Sequence, residues 1–108
     1  MKNSEYHRDA LRKQVRHWAE PIGVSVKQIQ IRPMRNKWAS CSTTGRVSLA
    51  TDVLALSRRL QNYIIVHELL RLRVHNHGKL WKSLLQAYVG DYEKIEQSLP
   101  VLKGVRKR

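Results

Sequence analysis

The alternation of apolar and polar positions predicts a helix, then strands, then more helices. Between about Glu5 and Ala19 the apolar residues recur every three or four positions, as on one face of an amphipathic helix. Ser4 is a candidate N-cap for this helix, and Pro21 with Gly23 is expected to end it. This first helix is predicted to serve packing.

The next part of the chain is rich in β-branched residues and alternates in polarity, which predicts strands. The predicted strands cover Val24–Arg32, Lys37–Ser42 and Arg46–Ala50. Thr43–Gly45 supplies turn residues between the last two strands, which should therefore form an antiparallel hairpin. The first strand is expected to pair beside that hairpin, giving a small three-stranded antiparallel sheet.

After the third strand the apolar positions again follow a helical period. The pattern predicts a short turn at Asp52–Leu56, then a central helix at about Arg58–Arg73 with Ser57 as its N-cap. Two C-terminal helices are predicted, one at Lys79–Tyr88 and one from Asp91 to about Leu99. A helix, three strands and then helices indicate an α+β fold.

The length of 108 residues is sufficient for one domain, expected at residues 1–102 and followed by a basic tail at 103–108. No apolar run reaches the roughly 18 residues of a membrane span, and the polar amino-terminal residues are unlike a signal peptide. The single cysteine, Cys41, excludes an intrachain disulfide and suits a reducing compartment. The expected location is therefore the cytoplasm.

The charge of the chain is strongly positive, with 21 Lys and Arg against 8 Asp and Glu, a net charge of +13. Such a charge attracts acidic partners and supports non-specific binding to nucleic acid at low salt. The basic residues are spread along the chain and cluster only in the tail, no recognised nucleic-acid module is present, and aromatic residues are few. A solvated basic surface is the simpler interpretation.

The central helix carries the candidate chemistry, because residues 67–71 are H-E-L-L-R. In the zinc-hydrolase motif H-E-x-x-H, two histidines one helical turn apart bind one metal, and the adjacent glutamate activates water. By this pattern His67 is the first ligand and Glu68 the general base, but Arg71 occupies the position of the second histidine. His77, ten residues after His67, is the candidate third ligand.

Four segments agree in order and spacing with one known family. They are W-A-S-C-S at 38–42, Y-I-I-V-H-E-L-L-R-L at 63–72, N-H-G-K-L-W at 76–81 and D-Y at 91–92. On these segments the chain resembles the YgjP-like metal-dependent hydrolases, which are small cytoplasmic relatives of the SprT-like and minimal zincin metallopeptidases. The resemblance implies a zincin-like fold, zinc held by three histidines, and hydrolysis of a peptide or protein substrate.

The predicted second strand is a candidate substrate-binding strand, with Trp38, Ala39, Ser40 and Cys41. In zincin relatives such a strand binds an extended peptide by edge pairing, so the resemblance implies the same here. No base is evident near Cys41 in the sequence. Its thiol is therefore expected to be a buried, unreactive group rather than a nucleophile.

Arg71 is the main departure from the motif, because a guanidinium has no lone pair for a metal and stays charged in proteins. It follows Glu68 by three residues, so it can form an ion pair with that carboxylate where the metal would sit. His75 is a substitute ligand that would give a set of His67, His75 and His77. The simpler alternative is a core histidine beside a salt-bridged glutamate.

Two hypotheses from different functional classes follow. In the first, the chain is a zinc-dependent metallopeptidase-like hydrolase whose metal binding is impaired by Arg71. In the second, it is a non-catalytic module on the same fold that binds nucleic acid or an acidic protein through its basic surface or its strand edge. The zinc content of the protein distinguishes the two hypotheses.

Overall fold

The computed structural model describes residues 2–74 and 78–100, and for residues 2–4 only the backbone. The elements in this part of the chain are helix α1 (Lys2–Ile22), strands β1 (Gln28–Arg32), β2 (Ala39–Cys41) and β3 (Arg46–Ala50), a 3-10 helix (Thr51–Ala55), and helices α2 (Arg58–Arg73), α3 (Lys79–Val89) and α4 (Tyr92–Gln97). The predicted α+β class is confirmed. The predicted basic tail lies outside the described residues, and the domain boundary at residue 102 stays a prediction.

Helix α1 is longer than predicted at both ends. It begins at Lys2, before the predicted N-cap, and continues through Pro21 to Ile22. Ile22 is fully buried, so the apolar face continues beyond Ala19 and packing holds the last turn in place despite the proline. The helix ends at Gly23, which has a φ of +81° and whose N–H donates to the carbonyl of Ala19 at 2.9 Å.

The sheet differs from the prediction in its pairing. Strands β2 and β3 form the predicted antiparallel hairpin, but β1 pairs parallel to β3, and the order is β1-β3-β2. The expected antiparallel sheet is therefore wrong, and the sheet is mixed. The strand order follows from burial, because β3 is the most buried strand, with residues 47–50 all buried, and takes the central position between the other two. Since β1 pairs with β3 rather than with β2 and runs in the same direction as β3, that pairing is parallel.

Helix α2 lies at the centre of the molecule and contacts α1, α3, α4 and β2. All eight residues from Tyr63 to Leu70 are buried, so the helix is covered on every side through this stretch. Its predicted N-cap is confirmed, because the Ser57 hydroxyl accepts a hydrogen bond from the N–H of Leu60 at 3.3 Å. The candidate residues His67 and Glu68 therefore lie inside the protein.

Asp91 is also confirmed as an N-cap, because its side chain accepts from the N–H of Lys94 at 3.3 Å at the start of α4. Among the described residues, no helix has the length and apolar character needed to cross a membrane. The elements that build the candidate site are the C-terminal half of α2, the strand β2 and the helix α3.

Candidate functional site

The imidazole of His67 is enclosed by aromatic rings from two helices. Its exposed fraction is 7%. The ring of Trp81, from α3, lies edge-on to it with centroids 4.8 Å apart, and the ring of Tyr63, one turn earlier on α2, lies 5.6 Å away. Packing from two sides fixes the orientation of this ring before any ligand binds.

The carboxylate of Glu68 is buried beside three polar side chains. Its Oε2 lies 3.5 Å from Nδ1 of His67 and 3.9 Å from Nη1 of Arg71, and its Oε1 lies 3.8 Å from Sγ of Cys41. The side chain of Arg71 is 42% exposed, whereas that of Glu68 is only 8% exposed. The sequence-predicted contact between Glu68 and Arg71 is therefore present, as a long ion pair that reaches from the protein interior to its surface.

The thiol of Cys41 brings strand β2 against helix α2. Its Sγ donates to the backbone carbonyl of Glu68 at 3.1 Å. Burial is the largest of the causes that raise the pKa of the thiol to about 11, and the charge and hydrogen bond of Glu68 act in the same direction, while the charge of Arg71 acts in the opposite one. The thiol is therefore protonated at neutral pH and acts as a hydrogen-bond donor. Cys41 is partly buried rather than fully buried as the sequence predicted.

A pocket of about 480 Å³ opens beside this cluster. It is lined by Lys37, Ala39, Ser40, Cys41, Thr43, Glu68, Arg71 and Leu72. Three of the four predicted substrate-strand residues are in this lining, and Trp38 is not. Lys37, Thr43 and Leu72 were not predicted, because nothing in their local sequence indicates that β2 and the end of α2 face the same cavity.

The candidate metal ligands are only partly within the described residues. His67 is on α2, whereas His75 and His77 lie outside the part of the chain that the structure describes. Within residues 2–74 and 78–100, no three His, Cys, Asp or Glu side chains are close enough to hold a metal ion. Arg71, one turn after His67, offers no lone pair. Of the candidate zinc ligands, the described part of the chain therefore contains only His67.

Comparison with known proteins shows which family and which folds the chain resembles. The family model described as "YgjP-like, metallopeptidase domain" matches residues 3–101. The fold is similar to the crystal structure of the metallopeptidase zymogen of Pyrococcus abyssi abylysin, at 22% identity and a TM-score of 0.71, covering 81% of this chain and 89% of that one.

It is also similar to the metallopeptidase zymogen of Methanocaldococcus jannaschii jannalysin, at 28% identity and a TM-score of 0.72, covering 81% of this chain and 90% of that one. No curated protein matches the chain. Both archaeal proteins share the mixed α and β architecture described above.

Proposed function

The chain belongs to the YgjP-like metallopeptidase family, and from this premise we propose that it is a metallopeptidase-like domain whose zinc binding is impaired by Arg71. The observation that carries the proposal is the guanidinium of Arg71, 3.9 Å from the carboxylate of Glu68. Arg71 replaces the second histidine of the motif, so one zinc ligand is lost. Its positive charge also pairs with the carboxylate of Glu68, the proposed general base. The hydrolase activity typical of the family would then be weak or absent.

The proposed roles follow the family motif residue by residue. His67 and His77 are the proposed zinc ligands, Glu68 the proposed base, and His75 the substitute ligand. Two histidines leave little affinity for zinc, and a fixed positive charge nearby repels a divalent cation. The edge of β2, with Ala39, is the proposed binding strand for a peptide substrate, and the cytoplasm is the proposed location.

Zinc stoichiometry tests the proposal directly. The protein and its Arg71→His variant are dialysed against zinc and then analysed for metal content, with Arg59→His as the matched control. Arg59 is exposed on the same helix, so this control adds a histidine of equal chemistry away from the site. We expect almost no zinc in the natural chain and in the control, and close to one zinc per chain in Arg71→His.

Two results would contradict the proposal. A full equivalent of zinc in the natural chain would mean that another ligand, with His75 as the first candidate, compensates for Arg71. No zinc in any of the three proteins would mean that the histidines do not form a metal site even when the motif is restored.

A second candidate function is a non-catalytic module that binds nucleic acid or an acidic protein on the same fold. The net charge of +13 favours it. This function requires no metal, so it remains compatible with a chain that binds none.

A further inference from the structure

The pocket beside β2 carries more positive than negative charge. Its lining contains two cationic side chains, Lys37 and Arg71, and one carboxylate, Glu68. That carboxylate is already in contact with His67 and Cys41 as well as with Arg71. An occupant of the pocket therefore meets an unbalanced positive charge.

Both cations have donors left for an occupant. A guanidinium carries five N–H donors, and Arg71 uses a single nitrogen in a contact of 3.9 Å with Glu68. Within the part of the chain that the structure describes, this is its only ion pair, and Lys37 makes none. Because Lys37 is exposed and Arg71 is partly exposed, both can reorient toward a ligand without loss of buried structure.

The edge of β2 adds main-chain groups to the same pocket. On either side of β2, the N–H of Ala50 donates to the carbonyl of Trp38 and the N–H of Ser42 donates to the carbonyl of Arg46, both at 2.9 Å. In an antiparallel pair the hydrogen-bonded residues alternate, so the N–H and C=O groups of Ala39 and Cys41 are directed away from β3. An extended peptide can pair with these groups.

We propose that this pocket is selective for acidic peptides, with the carboxylate of an Asp or Glu side chain bound by Lys37 and Arg71 while the peptide backbone pairs with β2. The pocket extends beyond both ends of β2, because its lining includes Lys37 before the strand and Thr43 after it. A peptide paired with β2 can therefore continue in both directions, so the bound carboxylate is that of an internal side chain rather than that of the peptide's C-terminus. A guanidinium also matches a carboxylate in shape, through two parallel hydrogen bonds. This inference depends on the proposed function in one respect, namely that the ligand is a peptide.

Calorimetric titration with two capped peptides tests this site. The peptides are short, acetylated and amidated, and identical except for one central residue, Glu in one and Gln in the other. The protein is used after chelator treatment, so zinc plays no part in the measurement. We expect the natural chain to bind the Glu peptide about tenfold more tightly than the Gln peptide, as for the sum of two charge-assisted pairs with exposed cations.

Two matched variants distinguish an effect of the pocket from an effect of the overall positive charge on peptide binding. Lys37→Gln removes a lining cation without touching Glu68, and Lys82→Gln removes one exposed lysine from α3, away from the pocket. We expect the preference for Glu to fall to about twofold in Lys37→Gln and to stay near tenfold in Lys82→Gln. Arg71→Gln should reduce it as well.

Three outcomes would overturn the inference. They are an absence of peptide binding, equal affinities for the two peptides in the natural chain, and an equal loss of preference in Lys37→Gln and Lys82→Gln. Displacement of the Glu peptide by a deoxythymidine decamer, dependent on Lys37 but not on Lys82, would assign the pocket to phosphate and would also overturn it. Zinc stoichiometry is independent of all these results, so failure here and failure of the proposed function are distinguishable.

Discussion

At the scale of single residues, the carboxylate of Glu68 brings together groups from two elements. His67 and Arg71 reach it from its own helix, and Cys41 reaches it from β2. The thiol is sensitive to this arrangement, because its pKa responds both to burial and to the negative charge of Glu68. Cys41 is therefore a natural reporter on the candidate site.

The rate of alkylation of Cys41 by iodoacetamide should follow a pKa of about 11 rather than the ordinary 9.0. Glu68→Gln removes a negative charge and should lower this pKa, but not to 9.0, because burial is the largest cause and remains. The measurement is the alkylation rate as a function of pH in the natural chain and the variant. Equal pKa values in the two proteins would show that the thiol does not sense Glu68.

The same pKa has a consequence for stability. A thiol with a raised pKa in the folded state binds its proton more tightly there than in the unfolded chain. Its contribution to the free energy of unfolding is therefore complete below pH 9.0 and is lost as the pH rises through about 11.

The sequence predicted the contacts that lie within one helix. The three neighbours His67, Glu68 and Arg71 follow from helical spacing, and their contacts are those of adjacent residues on α2. The contact of Cys41 with Glu68 and the presence of Lys37 in the pocket depend on how β2 packs against α2. No local pattern records that packing, so neither was predicted.

At the scale of secondary-structure elements, local signals predicted the β2–β3 hairpin and some of the boundaries, whereas β1 begins at Gln28 rather than at the predicted Val24. The bounds of α2 and β3 agree with the prediction, because a capping serine and a turn glycine mark them. The parallel pairing of β1 with β3 was missed, because it depends on which strand is most buried. The extension of α1 through Pro21 likewise depends on the burial of Ile22.

The turn at Gly45 shows how one residue supports this mixed sheet. Its φ is +98°, a conformation that suits glycine, and its carbonyl accepts a hydrogen bond from the N–H of Lys27 at 2.8 Å. A Cβ at this position would lie 2.7 Å from the backbone carbonyl oxygen of Ser25. The hairpin and the start of β1 therefore approach closely only if residue 45 has no side chain.

Gly45→Ala should lower the free energy of unfolding by about 2–4 kcal/mol, the sum of left-handed backbone strain and a backbone clash. Gly23→Ala is the matched control, because Gly23 has a φ of +81° but no atom within 4 Å of its would-be Cβ. The control should cost about 1 kcal/mol from strain alone. Urea denaturation measures both values, and equal losses would show that the close approach to Ser25 contributes nothing.

At the scale of the whole molecule, the positive charge is left largely unneutralised. Of the 8 acidic residues, Glu68 is buried, and Glu5 and Asp9 share the single partner Arg12. Several arginines donate to backbone carbonyls and keep their charge, as Arg16 does to the carbonyl of Val26 at 3.0 Å. The surface therefore presents a positive field that extends beyond the pocket.

This field should bind duplex DNA without regard to sequence. Because such binding releases counterions, the affinity should fall by about 100-fold or more between about 50 mM and about 200 mM salt. Fluorescence anisotropy with two duplexes of unrelated sequence measures this dependence, and the two should give equal affinities. Lys37→Gln and Lys82→Gln should weaken the binding equally, since each removes one surface charge.

Comparing Lys37→Gln with Lys82→Gln distinguishes binding by the overall surface charge from binding by the pocket. The two variants could weaken DNA binding equally while only Lys37→Gln reduces the preference for the Glu peptide. This result would mean that the positive surface binds DNA non-specifically and that the pocket is a separate binding site for a carboxylate. Salt-insensitive or sequence-dependent binding of DNA would contradict the general field. Sequence-dependent binding would instead favour a nucleic-acid module over an impaired metallopeptidase as the role of this fold.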